Sequence, residues 1–349
     1  MKHLTAVWSV AALIAAGPAP DSSPSGPAGT VVVTNMNDNT ATIIDAASGR
    51  VLATLPTGEG PHEVATSHDG RWAVVSNYGV RGKPGNTLTV IDLDKLAVDR
   101  TISLGTYQRP HGIAFYPGDS VLTVTSEASQ AVLLVDLRTN QVAGTAPTKG
   151  RVSHMLALVP DGSRLFTTNI ADGSITEIDP RARQAIKVIP VARQVEGIAV
   201  SPDGKTVWVG SNGDSILVVV DAKAGRAVDT LRGFGMPYRM AVTPDGRLAV
   251  ISDPIKAQIR VVDASSRKQK FLIEVPKDSL VATAEVPGSP SPEGVTVSRD
   301  SRWAFVTLQG RNRLATIDLE HGRIATLAVT GTWSDGVAYS PRVVHPAGG

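Results

Sequence analysis

VEGIAVSPDGKTVWVGSNGDSILVVVDAKAGRAVDTL, from Val195 to Leu231, carries the two signals that decide the fold. VEGIAVSPDG is a short strand running into a turn, and LVVVD is an apolar strand that stops at Asp221. Runs of strand length with period-two patterning, ended by Asp and Gly, are what a twisted sheet with tight hairpins requires.

Both signals recur along the chain. The strand-and-turn signal returns as PHEVATSHDG from Pro61, PHGIAFYPGD from Pro110, SHMLALVPDG from Ser153, PYRMAVTPDG from Pro237, PEGVTVSRDS from Pro292 and SDGVAYSP from Ser334. The strand ending in Asp returns at Asp45, Asp92, Asp136, Asp179, Asp263 and Asp318. Seven of each define seven units, and their spacing of about 42 residues is that of a four-stranded propeller blade. The last strand-and-turn signal has no strands after it, and Asp45 has no such signal before it. The two halves complete one blade. The strand around Val337 is therefore expected to pair with the N-terminal strands at 30–34 and 40–44, closing the ring. The expected fold is all-β: a single seven-bladed β-propeller of four-stranded antiparallel blades over residues 29–341, followed by a tail at 342–349. The blades are numbered 1 to 7 here by their strand-and-turn signals, so blade 7 is the composite one.

SPDGKTVWVGSNGDSILVVVDAKAGRAVDTL (201–231) and VPDGSRLFTTN (159–169) resemble the YVTN-repeat propeller family, including its lactonase-like seven-bladed members, and the likeness spans residues 30–340. The resemblance implies the fold strongly and function only broadly, because such proteins include binding modules, surface proteins and enzyme subunits.

Composition agrees with many short strands joined by turns: 33 Gly and 23 Pro with 42% apolar residues argue against coiled coil and disorder. A net charge of +2, with no Lys/Arg run and no basic groove studded with aromatics, argues against nucleic acid and anionic membrane as partners. Met1-Lys2-His3, the apolar run Leu4–Ala16 and the following Gly-Pro-Ala-Pro read as a signal peptide at 1–16, placing the protein in the periplasm or outside the cell. Residues 17–28 read as a flexible Pro/Ser/Gly linker. No later stretch is apolar enough to span a membrane. Cysteine is absent, so a metal site must use N and O donors.

The second residue of each strand-and-turn signal enters the innermost strand, where side chains project toward the channel axis. Around the ring these are His62, His111, His154, Glu196, Tyr238, Glu293 and Asp335. With 7 His and 32 acidic residues in 349, composition does not account for six of seven such positions being His, Asp or Glu. His62, His111 and His154 come from consecutive blades, with the acids opposite, a donor set that suits a divalent or copper ion. Glu196 and Glu293 are the candidates for a general base. Tyr238, Arg239 and Asp335 are candidate ligand contacts, Arg239 standing where other blades usually have Gly. Fifteen residues beyond six of the ring positions lie Asn77, Ser126, Asn169, Ser211, Asp253 and Leu308, with Asn35 in the corresponding place of the composite blade; Asn77 and Asn169 are further ligand candidates, and the alternative is that these side chains close turns by bonding backbone. Trp72, Trp208 and Trp303 read as blade-packing residues. The inserted NYGVRGKPGN (77–86) and the long segment 276–292 are expected on the face that carries the histidines, where they would cover a ligand.

These observations support an exported, monomeric cell-envelope module that binds a metal ion, small molecule or envelope protein at the channel mouth. The alternative is a metal-dependent enzyme. Virginiamycin B lyase, muconate-type lactonases, selenium-binding methanethiol oxidases and nitrous oxide reductases are similar in architecture, but none matches residue by residue. Motifs for a serine nucleophile, a His-Glu-x-x-His zinc site or a P-loop are absent from the sequence.

Overall fold

The computed structural model describes residues 26–281 and 284–345. The expected signal peptide and residues 17–25 of the linker lie outside the described residues. Seven four-stranded antiparallel sheets form the body. Six run in chain order, and the seventh joins Ser334–Ser340 to Thr30–Asn35, Thr40–Asp45 and Val51–Pro56. In that closing blade Val337 pairs with Val33 and Tyr339 with Val31, as the incomplete first and last units require. Packing continues past the expected end at residue 341: Val344 is buried against Val32, Ile43 and Val64, and Thr30 Oγ1 donates to the Arg342 carbonyl. Among the described residues no helix is long and apolar enough to cross a membrane.

The repeated Asp residues owe their position to turn chemistry. Each ends a third strand and accepts hydrogen bonds from backbone N–H groups two or three residues on: Asp45 from Ser48, Asp136 from Arg138, Asp179 from Arg181, Asp221 from Ala224, and Asp92, Asp263 and Asp318 likewise. A short carboxylate here satisfies donors that the hairpin to the fourth strand leaves unpaired. On the same face the Asp-Gly turns place Gly70, Gly162, Gly204 and Gly246 at φ of 77°, 70°, 68° and 72°, a conformation that glycine adopts without steric cost.

Second and third strands are buried on both faces, because each sheet packs against the next. Phe166 and Ile175 of blade 3 interdigitate with Val207, Val209, Val218 and Val220 of blade 4. The fourth strands are solvated, as in Arg226–Leu231. Trp208 is buried among Leu217, Phe234 and Met240, and Trp303 lies beside Phe305, so both pack blades as expected. Trp72 is partly buried, with the Arg71 guanidinium 4.6 Å from its ring centroid. His68 and His321 bond Asp119 and Asp318 in turns on the face opposite the ring histidines.

Candidate functional site at the channel mouth

Hydroxyls on the second strands fix the ring. Thr34 donates to the carbonyl of His62 in the next blade, Thr125 to His154, Thr168 to Glu196, Ser252 to Glu293 and Thr307 to Asp335, at 2.6 to 3.0 Å. Each bond holds an inner strand by its backbone and leaves the ring side chain free to face the axis.

The structure brings the ring residues into one contact network. The imidazoles of His62 and His111 have centroids 4.6 Å apart, and His111 lies 3.6 Å from His154. His62 Nδ1 is 2.5 Å from Asp335 Oδ2, and His154 lies 3.2 Å from Glu127 and 3.4 Å from Glu196. Arg239 continues the chain, with Nη1 3.0 Å from Glu196 and Nε 3.1 Å from Glu63 on the far side of the axis. Its guanidinium also covers the Tyr238 ring at 4.2 Å. Glu293 is fully buried; Ser291 Oγ donates to its Oε1, while Oε2 has no partner.

This arrangement differs from the expected metal centre. The three histidines adjoin ring against ring, with tilts of 42° and 32° between neighbours. Among the described residues no three His, Asp or Glu side chains form a preassembled ligand set. The two candidate bases are also unsuited to that role. Burial would raise Glu196, but the hydrogen bond from His154 and the Arg239 charge overcome it and hold the carboxyl at about 2. Burial, together with Asp335 and Glu285, pushes Glu293 well above the carboxylate range. One is too weak a base and the other keeps its proton.

Arg239, expected on the surface or on an anion, is instead a buried cation tied to two carboxylates. Tyr238 and Asp335 are buried beside it, Asp335 on His62. Asn77 and Asn169 spend their amides inside their own blades. Asn169 donates to Ser174 and Thr176 and accepts from Ser153, and Asn77 donates to Thr87 and Thr89 and accepts from the Gly58 N–H. Asn169 thus bonds side chains alone, and only Asn77 meets backbone in the way the alternative expected.

The residues that do reach the mouth from the second strands sit one position further on. Sixteen residues beyond the ring lie Tyr78, Glu127 and Asn212. Tyr78 donates to Glu127 and stands edge-on to His62 and His111, and Asn212 donates to Glu196. Strand side chains alternate faces, so a one-residue shift turns a blade-packing position into a channel one. Both inserted segments lie on this face. The first lengthens a hairpin, Trp72–Val80 with Lys83–Asp92, which carries Tyr78 over the ring. In the second, Glu285 is anchored through its N–H to Gln309 Oε1, and its carboxyl feels Glu196 and Asp335.

Electrostatically the network separates its imidazoles. Burial would lower His154, but its bonds to Glu127 and Glu196 raise it to about 9, so it is a cation at neutral pH. Burial, reinforced by His154, His62 and Arg239, drives His111 well below the usual histidine value. His111 is thus a neutral imidazole with no exposed surface, and neither ring nitrogen has a hydrogen-bond partner. Buried polar atoms in this state are rare and concentrate where a ligand completes the bonding.

Three comparisons bear on the chain. The family model described as the cytochrome D1 heme domain matches residues 117–349, more than half of the sequence. The seven-bladed beta-propeller protein Rv1057 of Mycobacterium tuberculosis is 28% identical over 153 residues, which cover 42% of this chain and 37% of that protein's length. Hydrazine synthase of Kuenenia stuttgartiensis superposes with a TM-score of 0.70 at 16% identity, over 88% of this chain and 99% of that one, a likeness of fold alone.

Proposed function

The chain belongs to the cytochrome D1 heme domain family, and from that premise we propose that it is a binding module that takes one small ligand at the channel mouth, against His111. The carrying observation is the state of that side chain: fully buried, neutral, and without a partner at either nitrogen, whereas His62 lies 2.5 Å from Asp335 and His154 3.2 Å from Glu127. A neutral imidazole offers one N–H donor and one lone pair, enough to orient a polar ligand or to bind a metal ion. Glu293 Oε2, Arg239 Nη2 and Asn212 Oδ1 are further buried atoms without partners around the same mouth.

The family's name raises haem as the ligand, and one property of the site suits it: a neutral histidine nitrogen is a haem-iron donor. The space does not. His154 and His62 lie against the His111 ring, Arg239 crosses the axis, and the surrounding groups are carboxylates and imidazoles rather than the apolar walls that a macrocycle needs. We therefore assign the mouth to a ligand of a few atoms. The apolar leader at Met1–Ala16 supports a periplasmic or secreted protein, which N-terminal mass determination of the mature chain would test.

Calorimetric titration of the full protein and of His111→Ala with Cu²⁺, Zn²⁺ and acetate tests the reading. One-to-one binding of a probe, weakened at least about tenfold in the variant, supports it. Identical behaviour of the two proteins toward all three contradicts it.

A further inference from the structure

We propose that Glu63 and Arg239 form a crossbar over the channel axis that restricts the mouth to a small ligand and keeps a tetrapyrrole away from His111. The inference rests on the reading that the mouth is a ligand site, and it supplies that site's size selection.

The crossbar is built at one register of the repeat. The residue after each ring position is Gly112, Met155, Gly197, Gly294 or Gly336 in five blades, and Glu63 and Arg239 in blades 1 and 5. Glycine there serves close packing: a Cβ at Gly112, Gly197, Gly294 or Gly336 would lie closer than 3.0 Å to backbone atoms of the neighbouring blade. Each of those four blades thus approaches the next blade in the ring without placing a side chain at this level. In blades 1 and 5 the two long side chains point inward and meet, Arg239 Nε to Glu63 Oε1 at 3.1 Å, although the residues are 176 apart in sequence.

Two further contacts and its burial hold the bar in place. Arg239 Nη1 is bonded to Glu196 at 3.0 Å, its guanidinium covers Tyr238, and the arginine is 4% exposed. A buried guanidinium held by two carboxylates moves only at the cost of leaving charges unpaired. To present iron to His111, a planar macrocycle would have to occupy the space that this bar and the flanking imidazoles of His62 and His154 fill. A ligand of a few atoms needs far less room beside His111 than a macrocycle does. The same family fold thus carries a mouth whose size limit is set by two residues that depart from the glycine pattern of the repeat.

The test is a haemin titration of the full chain followed by visible absorption, comparing wild type, Glu63→Gly/Arg239→Gly, and the double variant with His111→Ala added. Glu63→Ala/Arg239→Ala, which also removes the bar and both of its charges but without glycine's backbone freedom, is the second route if the double variant folds poorly. Far-ultraviolet circular dichroism confirms the fold of each protein. Expected are a wild type that leaves the haemin spectrum unchanged and an opened variant that binds one haemin at least about tenfold more tightly, with a histidine-ligated spectrum lost on His111→Ala. One-to-one, His111-dependent haemin binding by wild type overturns the proposal, as does a folded, opened variant that binds haemin no better. Haemin exclusion by a wild type that also ignores Cu²⁺, Zn²⁺ and acetate supports the crossbar and sinks the ligand-site reading instead.

Discussion

Arg239 Nε lies 3.1 Å from Glu63 Oε1, joining blade 5 to blade 1 directly across the channel. Because Arg239 is buried and also holds Glu196, its removal leaves two carboxylates without their cation. Arg239→Met is expected to cost about 3–5 kcal/mol in equilibrium denaturation. Adding Glu63→Leu should recover part of that loss, since removing both partners costs less than stranding one. A single variant as stable as wild type would show that the pair is solvated.

The His154–Glu196 contact makes stability depend on pH with two opposite signs. His154 is raised from 6.5 to about 9, so its contribution is complete below about pH 6.5 and is lost as pH climbs through 9. Glu196 is lowered from 4.5 to about 2, so its contribution is complete above about pH 4.5 and is lost as pH falls toward 2. Stability from this pair is therefore greatest between about pH 4.5 and 6.5. Urea midpoints measured from pH 4 to 9.5 should show an alkaline decline that flattens in His154→Gln; an unchanged alkaline limb would exclude His154 as its source.

Asn169 supports the blade and not the ligand. Its amide ties Ser153, Ser174 and Thr176 together in the interior. Asn169→Ala should cost about 1–3 kcal/mol, the price of unpaired buried polar groups. Probe binding measured on the folded fraction should match wild type, whereas weakened binding at unchanged stability would return Asn169 to the site.

Ring closure rests on one strand. Ser334–Ser340 pairs with Thr30–Asn35, and its loss would expose an inner sheet edge and remove the inner-strand contacts that blade 7 makes with blades 6 and 1. A chain ending at residue 329 should lose its cooperative thermal transition, read by circular dichroism. A melt within a few degrees of the parent would contradict closure through this blade.

The fold was legible in the sequence because blade chemistry repeats. The third-strand Asp serves the same backbone need seven times and the strand-and-turn signal returns seven times, with Asp-Gly in four of them, so counting them counted the blades. The ring was legible for the same reason, since His62 to Asp335 occupy one register. What escaped was where each side chain is aimed. Asn77 and Tyr78 are adjacent, yet one closes a turn and the other faces His111, and only strand alternation within an actual register separates them. Glu63 and Arg239 sit 176 residues apart, and no local pattern shows that they meet. The stacking of His111 on His154, which replaces a metal-chelating arrangement, is likewise set by the angle between blades rather than by any spacing along the chain.

The central claim is that His111 is a neutral, unpaired imidazole held ready for a ligand. Nitrogen-15 NMR of the histidine side chains, assigned with His111→Ala and His154→Gln and followed from pH 5 to 9, measures this directly. The account predicts a doubly protonated His154 at pH 7, a His111 neutral throughout, and a shift of a His111 nitrogen when a binding probe is added. A His111 that titrates near 6.5 like a free imidazole, or that is blind to every probe the protein binds, would contradict it.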